Sequence, residues 1–118
     1  MAFKLGNEKR DFKGPDNTPI IKKNLEPGIK GEANMDGSVF VDNSVNLDSK
    51  EGKKVVAHEL EHIKQMEEGA AYGDDWVRWK GETHPRGDGY ITYKGKKYKE
   101  GSDELPWEKE AIKAEQYA

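Results

Sequence analysis

The 118-residue chain contains no cysteine. Disulfide bonds and thiolate metal ligands are therefore excluded, and a transition-metal site would have to use histidine, aspartate or glutamate. The chain has only three histidines, so few combinations of nitrogen ligands are available.

Apolar residues are also scarce, at 33% of the chain against 36% for charged residues. One domain with a thin core is expected at this length, and a bound metal would add stability that packing does not supply. No stretch approaches the roughly 20 apolar residues that span a bilayer, and the N-terminal sequence MAFKLGNEKRDFKG lacks the apolar segment of a signal peptide. These absences predict a cytoplasmic protein without a membrane partner. A phage-encoded or virion-associated protein would share them.

Neither sign of charge dominates, since the formal net charge is −3. Nucleic-acid-binding domains are usually basic, so no nucleic-acid partner is predicted. Lysines cluster over positions 94–99, but acidic residues follow from position 100. This pattern favours a solvated hairpin face over a phosphate-binding surface.

The first half of the chain has strand and turn signals. Residues 1–30 are rich in lysine, asparagine, glycine and proline, and they predict an extended N-terminal arm with one short strand near Ile20–Ile21. Residues 29–42 predict a hairpin, because Asp36-Gly37 is a strong turn signal. Residues 38–42 place Val39 and Val41 on one face and Phe40 on the other, and we expect them to form an edge strand.

The strongest helical pattern runs from about Asp48 to Glu68, and Gly69 is expected to end it. Asp48 is the predicted N-cap, with Glu51 three residues later completing a capping box. Apolar residues at helical spacing predict the side that faces the core. They are Val56, Leu60 and Ile63.

Residues 76–101 contain an internal repeat, in which VRWKGETHPRG is followed by ITYKGKKYKEG. Each copy predicts a short hairpin with Lys-Gly at its turn, and two hairpins are too few for a solenoid. We therefore expect a small β-hairpin insert. The segment 103–118 predicts a second helix, capped by Ser102 or Asp103 and with Pro106 in its first turn.

The first predicted helix contains the H-E-x-x-H motif His58-Glu59-Leu60-Glu61-His62. Residues four apart lie one helical turn above each other, so both imidazoles can reach one zinc ion at about 2.0–2.1 Å. Zinc lowers the pKa of a bound water to about 7, and a carboxylate can then take its proton as the water attacks a carbonyl. Glu59 is offset along the helix and is the predicted general base. The motif thus predicts a zinc-dependent metallopeptidase.

A catalytic zinc site needs a third protein ligand and one open position. The metzincin pattern is excluded, because Gln65 and Glu68 stand where it requires glycine and histidine. Glu108 and Ala111 resemble the gluzincin pattern E-x-x-A, in which glutamate is the third ligand. Glu110 is the alternative ligand. The two glutamates point about 200° apart on a helix, so only one of them can face the metal.

The order of strand, HExxH helix, β-insert and glutamate helix resembles a minimal gluzincin. The chain is also similar to small metallopeptidases attributed to tailed phages, over about residues 30–115. The resemblance implies an α+β, zincin-like fold in which a small antiparallel sheet carries the HExxH helix and the C-terminal helix crosses it at the metal. It also implies hydrolysis of a peptide or protein substrate, which would bind along strand 38–42. Glu61 departs from the pattern, since many relatives have glycine before the second histidine.

Further residues are candidates for supporting roles. Glu115 lies two turns after Glu108 on the same helix face and could hold a ligand histidine. His84 is the remaining histidine and is a candidate third ligand or transition-state stabiliser, although its Pro-flanked hairpin favours a structural role. Alternative hydroxyl donors, which the sequence does not rank, are Tyr72, Tyr90, Tyr93 and Tyr98.

Two other functions are compatible with the same ligands. One is a non-enzymatic, zinc-stapled binding module, and the other is a zinc hydrolase that acts on a non-peptide amide. An open fourth metal position beside a groove would favour the peptidase. A buried zinc with four protein ligands would favour the binding module.

Overall fold

A computed structural model describes residues 12–13 and 18–118. Within these residues two α-helices pack against two small sheets, so the predicted α+β class is confirmed. The rest of the predicted N-terminal arm lies outside the described residues. No helix in the described part of the chain is long and apolar enough to cross a bilayer. The elements are β1 (Phe12–Lys13), β2 (Pro19–Lys23), β3 (Gly31–Ala33), β4 (Val39–Asp42), α1 (Lys50–Glu67), β5 (Ala71–Tyr72), β6 (Trp76–Trp79), β7 (Glu82–Gly87), β8 (Tyr90–Tyr93), β9 (Lys96–Lys99), α2 (Pro106–Ala114) and a 3₁₀ turn (Glu115–Tyr117).

The first sheet has the strand order β1-β2-β4-β3. β3 and β4 form the predicted hairpin, and Gly37 in its turn has a φ of 93°, which glycine adopts without strain. β2 pairs with β4 in parallel, with Ile20 opposite Val39. The sheet is therefore mixed, which corrects the expectation of one antiparallel sheet. The physical reason is that Ile20 is buried, so this part of the arm joins the core.

The position of β4 also corrects the prediction that residues 38–42 form an edge strand. β2 lies on one side of β4 and β3 lies on the other, so the backbone groups of β4 are already paired. Among the described strands, β1 and β3 are the two edges of this sheet, and β3 lies against α1. The strand that was expected to meet a substrate is thus central, and its half-buried hairpin partner β3 lies at the edge.

The start of α1 depends on a tight approach to the preceding loop. The Ser49 hydroxyl accepts a hydrogen bond from the Gly52 N–H at 2.9 Å, so Ser49 is the cap. Asp48, the predicted cap, lies one residue too early, and its N–H donates to the side chain of Asn46, two residues before it. A Cβ at Gly52 would lie 2.0 Å from the Asn46 carbonyl oxygen, which explains the glycine near the helix start. Gly69, with a φ of 114°, follows the end of the helix as predicted.

The second sheet contains β5 to β9 in chain order and is antiparallel. Both Lys-Gly turns of the repeat lie where hairpins were expected. Lys80-Gly81 and Lys94-Gly95 have φ values of 50° and 83° and of 51° and 81°, as in type I′ turns. Asp88-Gly89 makes a third turn of the same kind, with φ values of 54° and 81°.

α2 begins at Pro106 without a side-chain cap. The predicted caps Ser102 and Asp103 are too early, because the chain first forms a turn in which the Leu105 N–H donates to the Ser102 carbonyl at 3.2 Å. This turn buries Leu105 completely, at 0% exposure. Burial of an apolar side chain thus sets the helix start.

Two clusters of buried apolar side chains form the interior. The aliphatic core lies between the first sheet and α1, and the aromatic core lies between the second sheet and α2. The helices α1 and α2 pack together and so connect the two cores. The aliphatic core contains Ile20, Val39, Val41, Val45 and Ile63, and the aromatic core contains Ala70, Val77, Trp79, Ile91, Leu105 and Trp107.

Candidate metal centre

The three predicted ligand residues meet where α1 contacts α2. His58 and His62 lie one turn apart on α1, with their ring centroids 5.0 Å apart. Glu108, in the first turn of α2, places its Oε1 3.1 Å from His58 Nε2 and 3.3 Å from His62 Nε2. The packing of the two helices therefore brings two nitrogens and one oxygen together.

The spacing of these atoms fits a zinc ion. Ligand atoms at about 2.0–2.1 Å from a tetrahedral zinc are separated from one another by roughly 3.3 Å. The two distances from Glu108 Oε1, 3.1 and 3.3 Å, match this separation. One donor atom from each residue lies within 4.8 Å of the other two. Two histidines and one glutamate also form a known ligand set of catalytic zinc, which keeps one coordination position free of protein.

The second nitrogen of each imidazole is held by a hydrogen bond. His58 Nδ1 donates to Glu115 Oε2 at 2.7 Å, and His62 Nδ1 donates to Gln65 Oε1 at 2.9 Å. Both partners are acceptors, so each Nδ1 carries a proton and a neutral ring presents its Nε2 lone pair towards Glu108. Two lone pairs and a carboxylate converge in this arrangement. Only a positive charge, from a metal ion or from protons on the rings, makes that convergence favourable.

The charges at this centre are strongly coupled. Burial lowers the pKa of His58, but its hydrogen bonds with Glu108 and Glu115 outweigh burial and raise the pKa to about 9. Burial also lowers the pKa of His62, but the interaction with Glu108 outweighs burial, so the pKa is raised. Burial raises the pKa of Glu108, while hydrogen bonds from the two imidazoles lower it to about 2. The centre thus has a high affinity for positive charge, and a metal ion would displace protons when it binds.

Glu59 lies beside the ligands, under the edge strand. Burial raises the pKa of its carboxyl group, and a more basic carboxylate is a better proton acceptor near neutral pH. A Cβ at Gly31 of β3 would lie 2.9 Å from Glu59 Cγ, so the strand backbone packs directly on this side chain. The predicted general base is therefore confined between β3 and the ligand histidines.

A groove between β3 and α1 passes this centre. It consists of two adjoining cavities of about 410 and 740 Å³. The smaller cavity extends towards Lys54 at the start of α1, and the larger one extends towards Arg86 on β7. Residues lining both cavities are Gly28, Ile29, Gly31, His58 and Glu59. A long substrate could therefore pass Glu59 and extend in both directions.

Tyr72 is the hydroxyl donor that the structure places nearest this chemistry. It lines the larger cavity together with Glu108, and its ring centroid lies 6.4 Å from that of His62. Its hydroxyl is buried and has no hydrogen-bond partner among the described residues. Burial raises the pKa of this hydroxyl, so it remains protonated and able to donate. Sequence reasoning could not rank Tyr72, because its position depends on how β5 returns after α1.

Two other candidates lie away from the ligand atoms. The His84 ring packs in the aromatic core, with its centroid 4.7 Å from Tyr93 and 6.2 Å from Trp107. Glu110 accepts a hydrogen bond from Gln65 Nε2 at 3.1 Å. The cluster of potential metal ligands found in the described residues contains neither of them.

Comparisons with known proteins assign no family. No protein-family model, curated protein or solved structure matches the chain. A functional conclusion therefore depends on the residues of the centre themselves.

Proposed function

We propose that this protein is a zinc-dependent metallopeptidase in which His58, His62 and Glu108 bind the metal and Glu59 is the general base. The observation that carries this proposal is the convergence of three potential ligand atoms beside Glu59, with both distances from Glu108 Oε1 close to those between the ligands of a tetrahedral zinc. The open groove supports peptidase activity, because a substrate can reach Glu59 from either side. The resemblance of HELEH and E-x-x-A to the gluzincin pattern supports the same function.

The residues of the centre divide the chemistry between them. Zinc at this position would polarise the scissile carbonyl and lower the pKa of the attacking water. Glu59 would take the proton from that water and deliver it to the leaving nitrogen. Tyr72 would donate its free hydroxyl to the carbonyl oxygen as negative charge develops there. Glu115 would keep the His58 ring in orientation through the bond to Nδ1.

The edge strand β3 offers a binding site for an extended peptide. Asn34 N–H donates to the Ser38 carbonyl at 2.9 Å, so the even-numbered residues of this strand pair with β4. The backbone groups of Gly31 and Ala33 therefore point to the outer edge, beside the groove. An extended peptide that pairs with them would lie across Glu59. We therefore propose β3, in place of the strand at residues 38–42, as the substrate-binding strand.

Replacement of Glu59 by glutamine tests the mechanism. Glu59→Gln retains the shape of the side chain but removes its basicity, so hydrolysis should fall about 10²–10⁴-fold while zinc content stays near one per chain. Cleavage of a broad peptide library, measured by mass spectrometry, gives the activity. Glu61→Gln is the matched control, since it makes the same change two residues away, and it should cleave like wild type. Equal rates for Glu59→Gln and wild type would contradict the mechanism.

The same measurements separate the peptidase from the two other functions. Tight zinc binding without cleavage of any peptide by wild type would favour a zinc-stapled binding module. Cleavage of small non-peptide amides but not of peptides would favour the alternative hydrolase.

A further inference from the structure

Gln65 is an amide buried almost completely on α1. It is 2% exposed and lies at the contact between α1 and α2. A buried amide is unfavourable unless its polar atoms are paired. The partners of its amide oxygen and nitrogen therefore determine whether Gln65 is stable in this position.

All polar hydrogens of the Gln65 amide are used. Its Oε1 accepts from His62 Nδ1 at 2.9 Å. Its Nε2 donates to the Trp107 carbonyl at 2.9 Å and to Glu110 Oε1 at 3.1 Å. Since both of these partners are acceptors, they require the amide nitrogen on their side and the amide oxygen towards His62. The orientation of the amide is thus determined by its surroundings.

This orientation has a consequence for His62. An amide oxygen can only accept a hydrogen bond, so the proton of a neutral His62 ring is placed on Nδ1. The Nε2 atom, 3.3 Å from Glu108 Oε1, then keeps its lone pair on the side of the other two ligand atoms. Loss of the amide would allow the proton to move to Nε2, where it would oppose metal binding.

The same amide connects the two ligand-bearing helices. His62 is on α1, and the Trp107 carbonyl immediately precedes Glu108 on α2. Gln65 therefore links one ligand directly to the backbone that carries another. Glu110, which sequence reasoning offered as an alternative ligand, holds the amide from the other side.

We infer that Gln65 is a positioning residue, which sets the tautomer of His62 and fixes the separation of the two ligand helices, with Glu110 as its anchor. This inference rests on the proposed function only in treating His62 as a metal ligand. The tautomer is a property of the metal-free protein and can be measured without activity.

Three variants separate the two effects of the amide. Gln65→Met retains side-chain length and removes all three hydrogen bonds. Gln65→Glu retains the acceptor for His62 but removes both donors and faces the Glu110 carboxylate. Addition of Glu110→Gln to this variant reverses the donor and acceptor between the two side chains and should restore their contact. Gln116→Met is the matched control, because Gln116 is exposed.

Nitrogen-15 NMR of the imidazole rings in chelator-treated protein, at a pH where His62 is neutral, reports the tautomer. Wild type and Gln65→Glu should carry the proton on Nδ1, whereas Gln65→Met should shift it towards Nε2. Zinc affinity, measured by competition with a chromophoric chelator, should fall about 10–100-fold in Gln65→Met. The affinity should also fall in Gln65→Glu and recover in part on addition of Glu110→Gln, because the bond to the Trp107 carbonyl stays lost.

An unchanged tautomer and affinity in Gln65→Met would overturn the inference, as would an equal loss of affinity in Gln116→Met. If Gln65→Met fails to fold, the recovery produced by Glu110→Gln in the Gln65→Glu background decides the question, and absence of recovery overturns the inference. A wild type that cleaves no peptide but shows the expected tautomer would contradict only the proposed function.

Discussion

The aliphatic and aromatic cores differ in how the chain builds them. The aromatic core comes from one continuous stretch, from Ala70 to Trp107, and its hairpins connect neighbouring segments. The aliphatic core joins Ile20 on the N-terminal arm to Val39 on β4 and to Ile63 on α1. It therefore depends on pairing between distant segments, including the parallel contact of β2 with β4. The aromatic core is built mainly by local hairpins, whereas the aliphatic core requires contacts between the arm, the first sheet and α1.

The junction of the two cores is polar, and it contains the candidate metal ligands. α1 belongs to the aliphatic core and carries both histidines, while α2 belongs to the aromatic core and carries Glu108. The buried contacts across the junction include the bond from Gln65 to the Trp107 carbonyl. A metal at the junction would therefore join two parts that apolar packing connects only in part. A ligand that binds only the folded state stabilises it by about 2.7 kcal/mol at 100 times its Kd.

The largest effect is expected from Trp107→Ala, which tests whether the aromatic core supports the junction. Trp107 is 1% exposed and packs against Trp79 and Tyr93, with both centroid distances 5.7 Å. The substitution should lower the free energy of unfolding in urea by about 3–5 kcal/mol. It should also weaken zinc binding, because Glu108 is the next residue. Tyr117→Ala is the control, since Tyr117 is 80% exposed. A similar loss of stability in both variants would contradict the structural role assigned to the aromatic core.

The second prediction tests which core supplies the third ligand atom. Glu108→Gln should weaken zinc binding by more than about 100-fold, or roughly 2.7 kcal/mol, because it removes a charged ligand. Glu110→Gln should change it much less, since an amide oxygen can still accept from Gln65. Competition with a chromophoric chelator measures both affinities. The reverse order would assign the ligand to Glu110, and equal small losses would remove α2 from the metal centre.

Local patterns in the sequence predicted much of this arrangement, for physical reasons. Helical geometry brings His58 and His62 to one face whatever the rest of the fold does. The turns at Lys80-Gly81 and Lys94-Gly95 are similarly local. The pairing partner of Ile20 was not predictable, because a short apolar run can join any nearby strand. Gln65 had no distinguishing signal, since its role depends on how closely α2 approaches α1.

The third prediction concerns pH and the junction without metal. A pKa of about 9 for His58 in the folded state lies above its ordinary value of 6.5, so folding favours the protonated ring. This contribution is complete below about pH 6.5 and is lost as the pH rises through about 9. Chelator-treated protein should therefore lose thermal stability across that window. Solvent limits the effect, since the His58 side chain is 21% exposed.

Replacement of the hydrogen-bond partner tests the cause of this pH dependence. Glu115→Gln should reduce the loss of stability between pH 6.5 and 9, because the interaction of its carboxylate with His58 helps to raise the pKa. Glu61→Gln, for which no hydrogen bond to either histidine is found, should retain the wild-type profile. Identical profiles for Glu115→Gln and wild type would contradict the assignment to His58. In the presence of zinc the trend should reverse, since metal binding requires neutral rings and strengthens as the pH rises.

The smallest effect should come from the start of α1, on the aliphatic side. Ser49→Ala removes the hydrogen bond from the Gly52 N–H and should lower the free energy of unfolding in urea by about 1 kcal/mol, while Asp48→Ala should lower it much less.

The same variant tests whether the two cores unfold together. All three tryptophans lie between residues 76 and 107, so tryptophan fluorescence reports on the aromatic side of the molecule. If the metal joins the cores, fluorescence and far-ultraviolet circular dichroism should shift together in zinc-bound Ser49→Ala. After chelation, the circular dichroism transition should shift further than the fluorescence transition. Coincident shifts under both conditions would show that the two cores unfold as one unit without metal.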